Sequence, residues 1–215
     1  MAEALSEALA SDGRALFAGS GGSTPSPIYA RLAQADLDWA RVTATLVDER
    51  YVPEASPDSN AALLKRALLT SPAAVAQFIP LYSPAVTVDR AAALASHTLA
   101  AEGRPLDAVL LGMGEDGHIC SMFPGSPTLT TLLTLSLKPA VYGVPAGRDG
   151  AAPPQERLTL NLPWLAGARR VVLALTGANK RVVFEREAAG DPAVSPVAAL
   201  IAANAPLEML WTEAG

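Results

Sequence analysis

Short apolar runs recur along the chain, and each is followed by a polar turn and then a helix-forming stretch. Ala2 to Ala10 carries Leu5 and Leu9 on one helical face and predicts a first helix. Ala15 to Ser20 predicts a strand that ends in Gly21-Gly22-Ser23-Thr24, where Thr24 can cap a helix from Pro25 to Gln34. Strands are expected at Val42–Val47 and Phe78–Leu81, with a helix from Ser59 to Leu69 between them. An Ala-rich helix over Val88–Ala101 leads into the apolar run Asp107–Leu111, read as a buried strand. Thr128–Val144 is ambiguous, with Pro139 and Gly143 fitting irregular strands, and residues 145–154 read as a Gly- and Pro-rich connection. Arg157–Leu162 is a strand or a strand-to-helix junction, and Arg170–Leu175 a strand whose helix runs to Ala189. A helix at Pro196–Ala202 and a strand at Leu207–Trp211 close the pattern. Alternation of this kind predicts an α/β fold with a largely parallel sheet covered by helices on both faces.

Composition narrows the class. The chain has 215 residues, the length of one domain, and half of them are hydrophobic, enough for a large Ala/Leu/Val core. A net charge of -5 argues against bulk nucleic acid as a partner. The single cysteine, Cys120, precludes an intrachain disulfide and suits a reducing compartment. No apolar run approaches the roughly 20 residues of a membrane span, and the N-terminal segment has no signal-peptide pattern. A cytoplasmic protein is expected.

In a parallel α/β sheet, ligands bind beyond the carboxyl ends of the strands, so the turns there are the candidate site. Gly21, Gly22, Ser23 and Thr24 form a candidate phosphate cradle ahead of a helix, but without the Lys-Ser/Thr of a P-loop. Gly112-Met113-Gly114-Glu115-Asp116-Gly117 matches the dinucleotide fingerprint only in letters. No acidic residue lies between Gly117 and Asp149 to hold a ribose, and Pro124 interrupts the helix the fingerprint requires. The turn instead delivers His118, one of two histidines, two residues after Asp116. An imidazole is suited to taking a proton from water near neutral pH, and Asp116 can fix its tautomer or cap a short following helix. His97 falls in a helical run and reads as a surface or packing residue. Asp48-Glu49-Arg50 ends a strand and is expected to open into the same crevice, as are the cations Arg157 and Lys180. The spacing of His, Cys and carboxylates fits no metal site, and Cys120 reads as a small buried hydrophobe.

Together these stretches resemble the 6-phosphogluconolactonase family. The resemblance rests on SGGSTP at Ser20–Pro25, VDERYVP at Val47–Pro53, DSN at Asp58–Asn60 and LLGMGEDGHICSMFPGSP at Leu110–Pro127. ERLTL at Glu156–Leu160 and TGANK at Thr176–Lys180 complete it. It implies a Rossmann-like fold shared with glucosamine-6-phosphate isomerase/deaminase, with no metal and no organic cofactor. It implies hydrolysis of 6-phospho-D-glucono-1,5-lactone to 6-phosphogluconate in the oxidative pentose phosphate pathway. His118 would be the general base, with Asp116 and Asp48 beside it. Gly21 to Thr24, Arg50, Arg157 and Lys180 would bind the phosphate and sugar oxygens. The expected partner is a small phosphorylated lactone, with no nucleic acid or membrane, and the chain is expected to act as a monomer or weak homo-oligomer. The related deaminases carry a glutamate before the proline of this motif, where the present chain has Phe123, which favours the lactonase over that branch. A sugar-phosphate-binding regulator is a further alternative, but no DNA-binding module is visible. The family pattern also implies more chain ahead of the first Gly loop, so the N-terminus reads as shortened.

Overall fold

The computed structural model describes residues 1–85, 87–147 and 154–213. Its elements run α1 (Ala2–Asp12), β1 (Ala15–Gly19), α2 (Pro25–Leu32), β2 (Val42–Leu46), β3 (Asp48–Arg50), α3 (Asn60–Ala67) and β4 (Gln77–Phe78). They continue with α4 (Val88–Ala100), β5 (Ala108–Leu111), α5 (Leu129–Leu133), β6 (Val141–Val144), β7 (Arg157–Leu160) and α6 (Leu162–Ala166). β8 (Val171–Thr176), α7 (Ala178–Ala188), α8 (Pro196–Ala202) and β9 (Leu207–Thr212) follow. Most of the connection expected at 145–154 lies outside the described residues.

Six strands form a sheet in the order β4-β2-β1-β5-β8-β9, and every pairing in it is parallel. Successive residues of a strand point to opposite faces, so a strand buried at every position is covered on both. β1, β2 and β5 are buried throughout, as is β8 up to its last residue. That is why these runs are continuously apolar rather than alternating.

The strand order also fixes where a ligand can bind. From β1 the chain moves outward through β2 to β4, then returns to β5 and continues outward the other way to β9. β1 and β5 are therefore adjacent strands whose following connections diverge, which opens a crevice at their carboxyl ends. The turns after them are the two Gly loops singled out from sequence.

Two expectations change. The ambiguous segment 128–144 is strand only in its last part: a short helix, α5, precedes a single strand, β6. And Asp48-Glu49-Arg50 is not a loop at a strand end but a strand itself. It pairs antiparallel with β7, which pairs antiparallel with β6, giving a second, three-stranded sheet packed on α4. A three-residue strand is too short to reveal its period from one sequence.

At the opposite ends of the parallel strands, a buried carboxylate ties elements together. Asp107 Oδ2 accepts the backbone N–H of Leu16 at 2.7 Å, and Arg104 binds both carboxylate oxygens at 2.9 and 2.8 Å. Arg169 reaches Oδ1 at 3.3 Å, and Asp12 accepts from both arginines. The Asp107 side chain is fully buried and Arg104 nearly so, so removing either partner strands a charge. Asp107→Ala is expected to destabilise the fold by about 3–5 kcal/mol, read as a fall in the urea midpoint. A loss under about 1 kcal/mol, the worth of an exposed pair, would mean the network contributes little.

Candidate active site

The crevice at the switch point is a cavity of about 260 Å³, lined on one side by Ser20 to Pro25 and on the other by Gly112, Met113, Gly114, His118 and Cys120. Asp48, Arg50 and Asn60 form a third wall, and Arg157, Thr176 and Lys180 complete it. Of the residues singled out from sequence, Gly21, Gly22, Ser23, Thr24, Asp48, Arg50, His118, Arg157 and Lys180 line this one space. Asp116 does not; it stands behind His118.

The first Gly loop leaves β1 with Ser20 N–H bonded to Leu110 O of β5, so the two loops start side by side. Tyr29 of α2 donates its hydroxyl to Ser20 O and holds the turn from beneath. Gly21 lies against Asn60, and a Cβ there would fall 1.9 Å from Asn60 Oδ1. Only glycine lets the loop pass so near the third wall. Thr24 departs from expectation: it precedes α2 in a helical conformation and its side chain makes no capping bond. Pro25 at the first position supplies the fixed φ instead, which leaves the Thr24 hydroxyl for the cavity.

The second Gly loop is shaped around an imidazole. Gly114 N–H bonds His118 O at 2.8 Å, closing a tight turn, and no helix follows for Asp116 to cap, which leaves the other of its two expected roles, holding His118. Asp116 Oδ1 lies 2.6 Å from His118 Nδ1 and also accepts the His118 backbone N–H at 3.3 Å. A Cβ on Gly114 would sit 2.2 Å from His118 Nδ1 and 2.4 Å from Asp116 Oδ1. The glycine that completes the false fingerprint is thus the space the His–Asp pair occupies. Phe123 packs against the imidazole at a tilt of 44°, with ring centroids 4.4 Å apart. Burial, the largest influence on Asp116, raises its pKa, but the hydrogen bond and charge of His118 and the backbone amides outweigh it. The carboxyl therefore stays below its usual range and ionised at neutral pH. An ionised Asp116 can only accept, so it selects the tautomer with the proton on Nδ1 and leaves the Nε2 lone pair free.

The third wall follows the pleat of β3. Asp48 and Arg50 point into the cavity, while Glu49 between them points away and is fully buried. Glu49 does not open into the crevice as expected from sequence. Its carboxylate plugs the amino end of α3, accepting from Asn60 N and Ala61 N at 2.8 and 2.7 Å, from Arg50 N at 2.7 Å and from the Ser59 hydroxyl at 3.1 Å. Burial pushes Glu49 above the usual carboxylate range, and these four donors pull against that shift.

The cations are unevenly satisfied. Lys180 Nζ donates to Met113 O at 2.6 Å, bridging the loops after β5 and β8. Arg50 and Arg157 are direct cross-strand partners in β3 and β7. Like charges so placed repel. The Nε of each is buried and has no hydrogen-bond partner among the described residues. Burial pulls Arg157 below its usual value, Asp48 opposes that, and Arg50 adds to the depression. Two adjacent guanidinium groups lining one cavity, one of them also bonded through Nη1 to Asp58 O, suit an anion by their charge. Cys120 is buried at the cavity edge, and burial together with the nearby Asp48 raises its thiol pKa well above normal, so it is no nucleophile. No group of three or more metal-ligating side chains occurs among the described residues. None of their helices is long and apolar enough to cross a membrane.

Sequence reasoning missed two contributors. Asn60 was part of a recognised motif but had no assigned role; its side chain supports Gly21 and donates to Asp48 O at 3.0 Å. Ser121 is fully buried and donates to Asp48 Oδ2 at 2.7 Å, a contact between residues 73 positions apart that no local pattern signals.

Residues 1–211 match the family model described as glucosamine-6-phosphate isomerases/6-phosphogluconolactonase. The chain belongs to this family. It is 43% identical over 209 residues to a 6-phosphogluconolactonase of Rhizobium meliloti, covering 96% of this chain and 88% of that one. A 6-phosphogluconolactonase of Caulobacter vibrioides is 41% identical over 211 residues, covering 98% and 88%. The crystal structure of a 6-phosphogluconolactonase from Shewanella baltica superposes with a TM-score of 0.89 at 33% identity, covering 99% of this chain and 89% of that one. The Rossmann-like α/β architecture expected from the motifs is thus the family's own.

Glu49→Gln tests how the third wall is held. An amide must set its NH2 against donors that now face a carboxylate, leaving at least one buried N–H unpaired. The variant is expected to lose about 2 kcal/mol of stability by denaturant unfolding, despite removing a buried charge. Unchanged stability would mean Glu49 is dispensable to the amino end of α3.

Proposed function

We propose that this chain hydrolyses 6-phospho-D-glucono-1,5-lactone to 6-phosphogluconate, the lactonase step of the oxidative pentose phosphate pathway. The observation that carries the reading is the Asp116–His118 pair, folded over Gly114 at the edge of a cavity that Arg50 and Arg157 also line. A phosphorylated lactone needs both a base for water and fixed positive charge for its phosphate.

In this mechanism, Nε2 of His118 takes a proton from a water molecule as the water oxygen bonds to the lactone carbonyl carbon. Asp116 holds the imidazole in place and stabilises the imidazolium that forms, without itself taking the proton. The carbonyl oxygen becomes an oxyanion in a tetrahedral intermediate. Its collapse re-forms the carbonyl and breaks the bond to the ring oxygen, which takes the proton from His118 and becomes a hydroxyl. The new carboxyl group then ionises. Gly21, Gly22, Ser23 and Thr24 supply backbone and hydroxyl donors to the phosphate. Lys180, Arg50 and Arg157 supply charge to the phosphate and sugar oxygens, and Asp48 is the one acceptor among them. No step calls for a metal or organic cofactor.

Phe123 separates this reading from the deaminase branch. Ring opening and isomerisation of an amino sugar need a second proton carrier near the histidine. Phe123, against the His118 ring, can move no proton. The cavity is built from one chain, so a monomer or weak homo-oligomer suffices. A single buried cysteine fits the reducing cytoplasm, and the net charge of -5 gives nucleic acid no foothold.

The test is hydrolysis of freshly generated 6-phosphogluconolactone beside the unphosphorylated lactone, with ammonia release from glucosamine 6-phosphate as a control. Rapid loss of the phosphorylated lactone alone is expected, and His118→Ala should lower kcat by about 10²–10⁴-fold while leaving 6-phosphogluconate binding largely intact. No acceleration by a folded protein that still binds 6-phosphogluconate would overturn the enzyme reading in favour of a binding protein.

A further inference from the structure

Asp48 stands among three cations and should, left to itself, turn onto one of them. It does not. Oδ2 accepts the Ser121 hydroxyl at 2.7 Å, the Asp48 carbonyl accepts Asn60 Nδ2 at 3.0 Å, and among the described residues no arginine or lysine lies within ion-pair distance of its carboxylate. Asp48 nevertheless lines the cavity, 5% exposed, while Oδ1 makes no hydrogen bond among the described residues.

Ser121 is itself held on two sides. It is fully buried, and its backbone N–H bonds Thr159 Oγ1 at 3.2 Å. Thr159 is the direct cross-strand partner of Asp48 in the β3–β7 pair and is also fully buried. Ser121 thus docks the His118 loop onto the second sheet through its backbone and spends its hydroxyl separately on Asp48. A hydroxyl has one proton to give, and here it goes to a carboxylate oxygen.

We infer that Ser121 is a positioning residue that fixes the Asp48 carboxylate with Oδ2 occupied and Oδ1 presented to the cavity as the acceptor for a substrate hydroxyl. The same bond keeps Asp48 from neutralising Arg50 or Arg157, so their donors stay available to the anionic end of the substrate. This rests on the lactonase reading of the site. It separates two functions of one loop: His118 serves the bond-breaking step, and three residues on Ser121 serves binding by way of the opposite wall.

Ser121→Ala removes the hydroxyl and keeps the backbone bond to Thr159, so the His118 loop stays docked. Against 6-phosphogluconolactone its KM is expected to rise about 10- to 150-fold, the range of one hydrogen bond to a charged group, with kcat changed less than about threefold. Asp48→Asn should raise KM similarly. Adding Ser121→Ala to Asp48→Asn should then raise it little further, because the two act through one contact. Ser121→Cys, of similar size and a weaker donor, should show the same direction and keeps the test usable if the alanine variant fails to fold. An unchanged KM in a folded variant, or effects of the two substitutions that multiply, would overturn the inference. So would a fall in kcat at constant KM. Absence of lactone hydrolysis by the unaltered chain would instead remove the reading on which the inference rests.

Discussion

The parallel pairing of β1 with β5 is the constraint on which the site depends. Both strands are buried on both faces, so their register is fixed by the core: Phe17 opposite Ala108, Ala18 opposite Val109, Gly19 opposite Leu110. At their carboxyl ends the connections diverge, and the backbone donors and acceptors of the next residues have no further strand to pair with. The first Gly loop, the candidate phosphate cradle, and the histidine turn occupy that gap. A shift in the pairing would move the cradle relative to His118 and would also turn apolar side chains of a continuous core the wrong way. The position of the chemistry is thereby tied to the stability of the sheet.

Charge is handled differently at the two ends of that sheet. At the amino ends, Asp107 is matched by Arg104 and Arg169, and a backbone N–H fills its remaining capacity. At the carboxyl ends, Arg50 and Arg157 are set opposite one another and their Nε donors are left unused, while the nearby carboxylates are otherwise engaged. Glu49 is committed to α3, Asp48 to Ser121 and Asp116 to His118. Like charges so placed repel one another, a local electrostatic strain in the sheet. Such local strain marks a binding site more clearly than net charge, which is negative for the whole chain.

Much of this was legible in the sequence because it is local. Continuous apolar runs between Gly turns report a parallel sheet, and the Asp116–His118 spacing lies within a single turn. The boundaries of α1, α8 and β2 came out within two residues. What was not legible depends on pairing across long separations. β3 has three residues and takes its identity from β7, more than 100 positions away, so Glu49 was wrongly assigned to the crevice. Ser121 carried no signal of its own, because only the second sheet brings Asp48 to it. Thr24 had the right residue type for a cap, but Pro25 made the cap unnecessary. Gly114 belongs to a letter match that the sequence context already excluded as a nucleotide site, and the reason for the glycine is the volume of a neighbouring imidazole.

The central claim is that Asp116 holds His118 with its proton on Nδ1 and its lone pair on Nε2. The chain has only two histidines, so nitrogen-15 NMR of the imidazole rings, with His97→Gln to assign the signals, reads this directly. In the neutral form the account predicts a protonated Nδ1 and an unprotonated Nε2 for His118, with the preference lost in Asp116→Ala. A neutral His118 protonated on Nε2 would contradict it, because no base would then face the lactone.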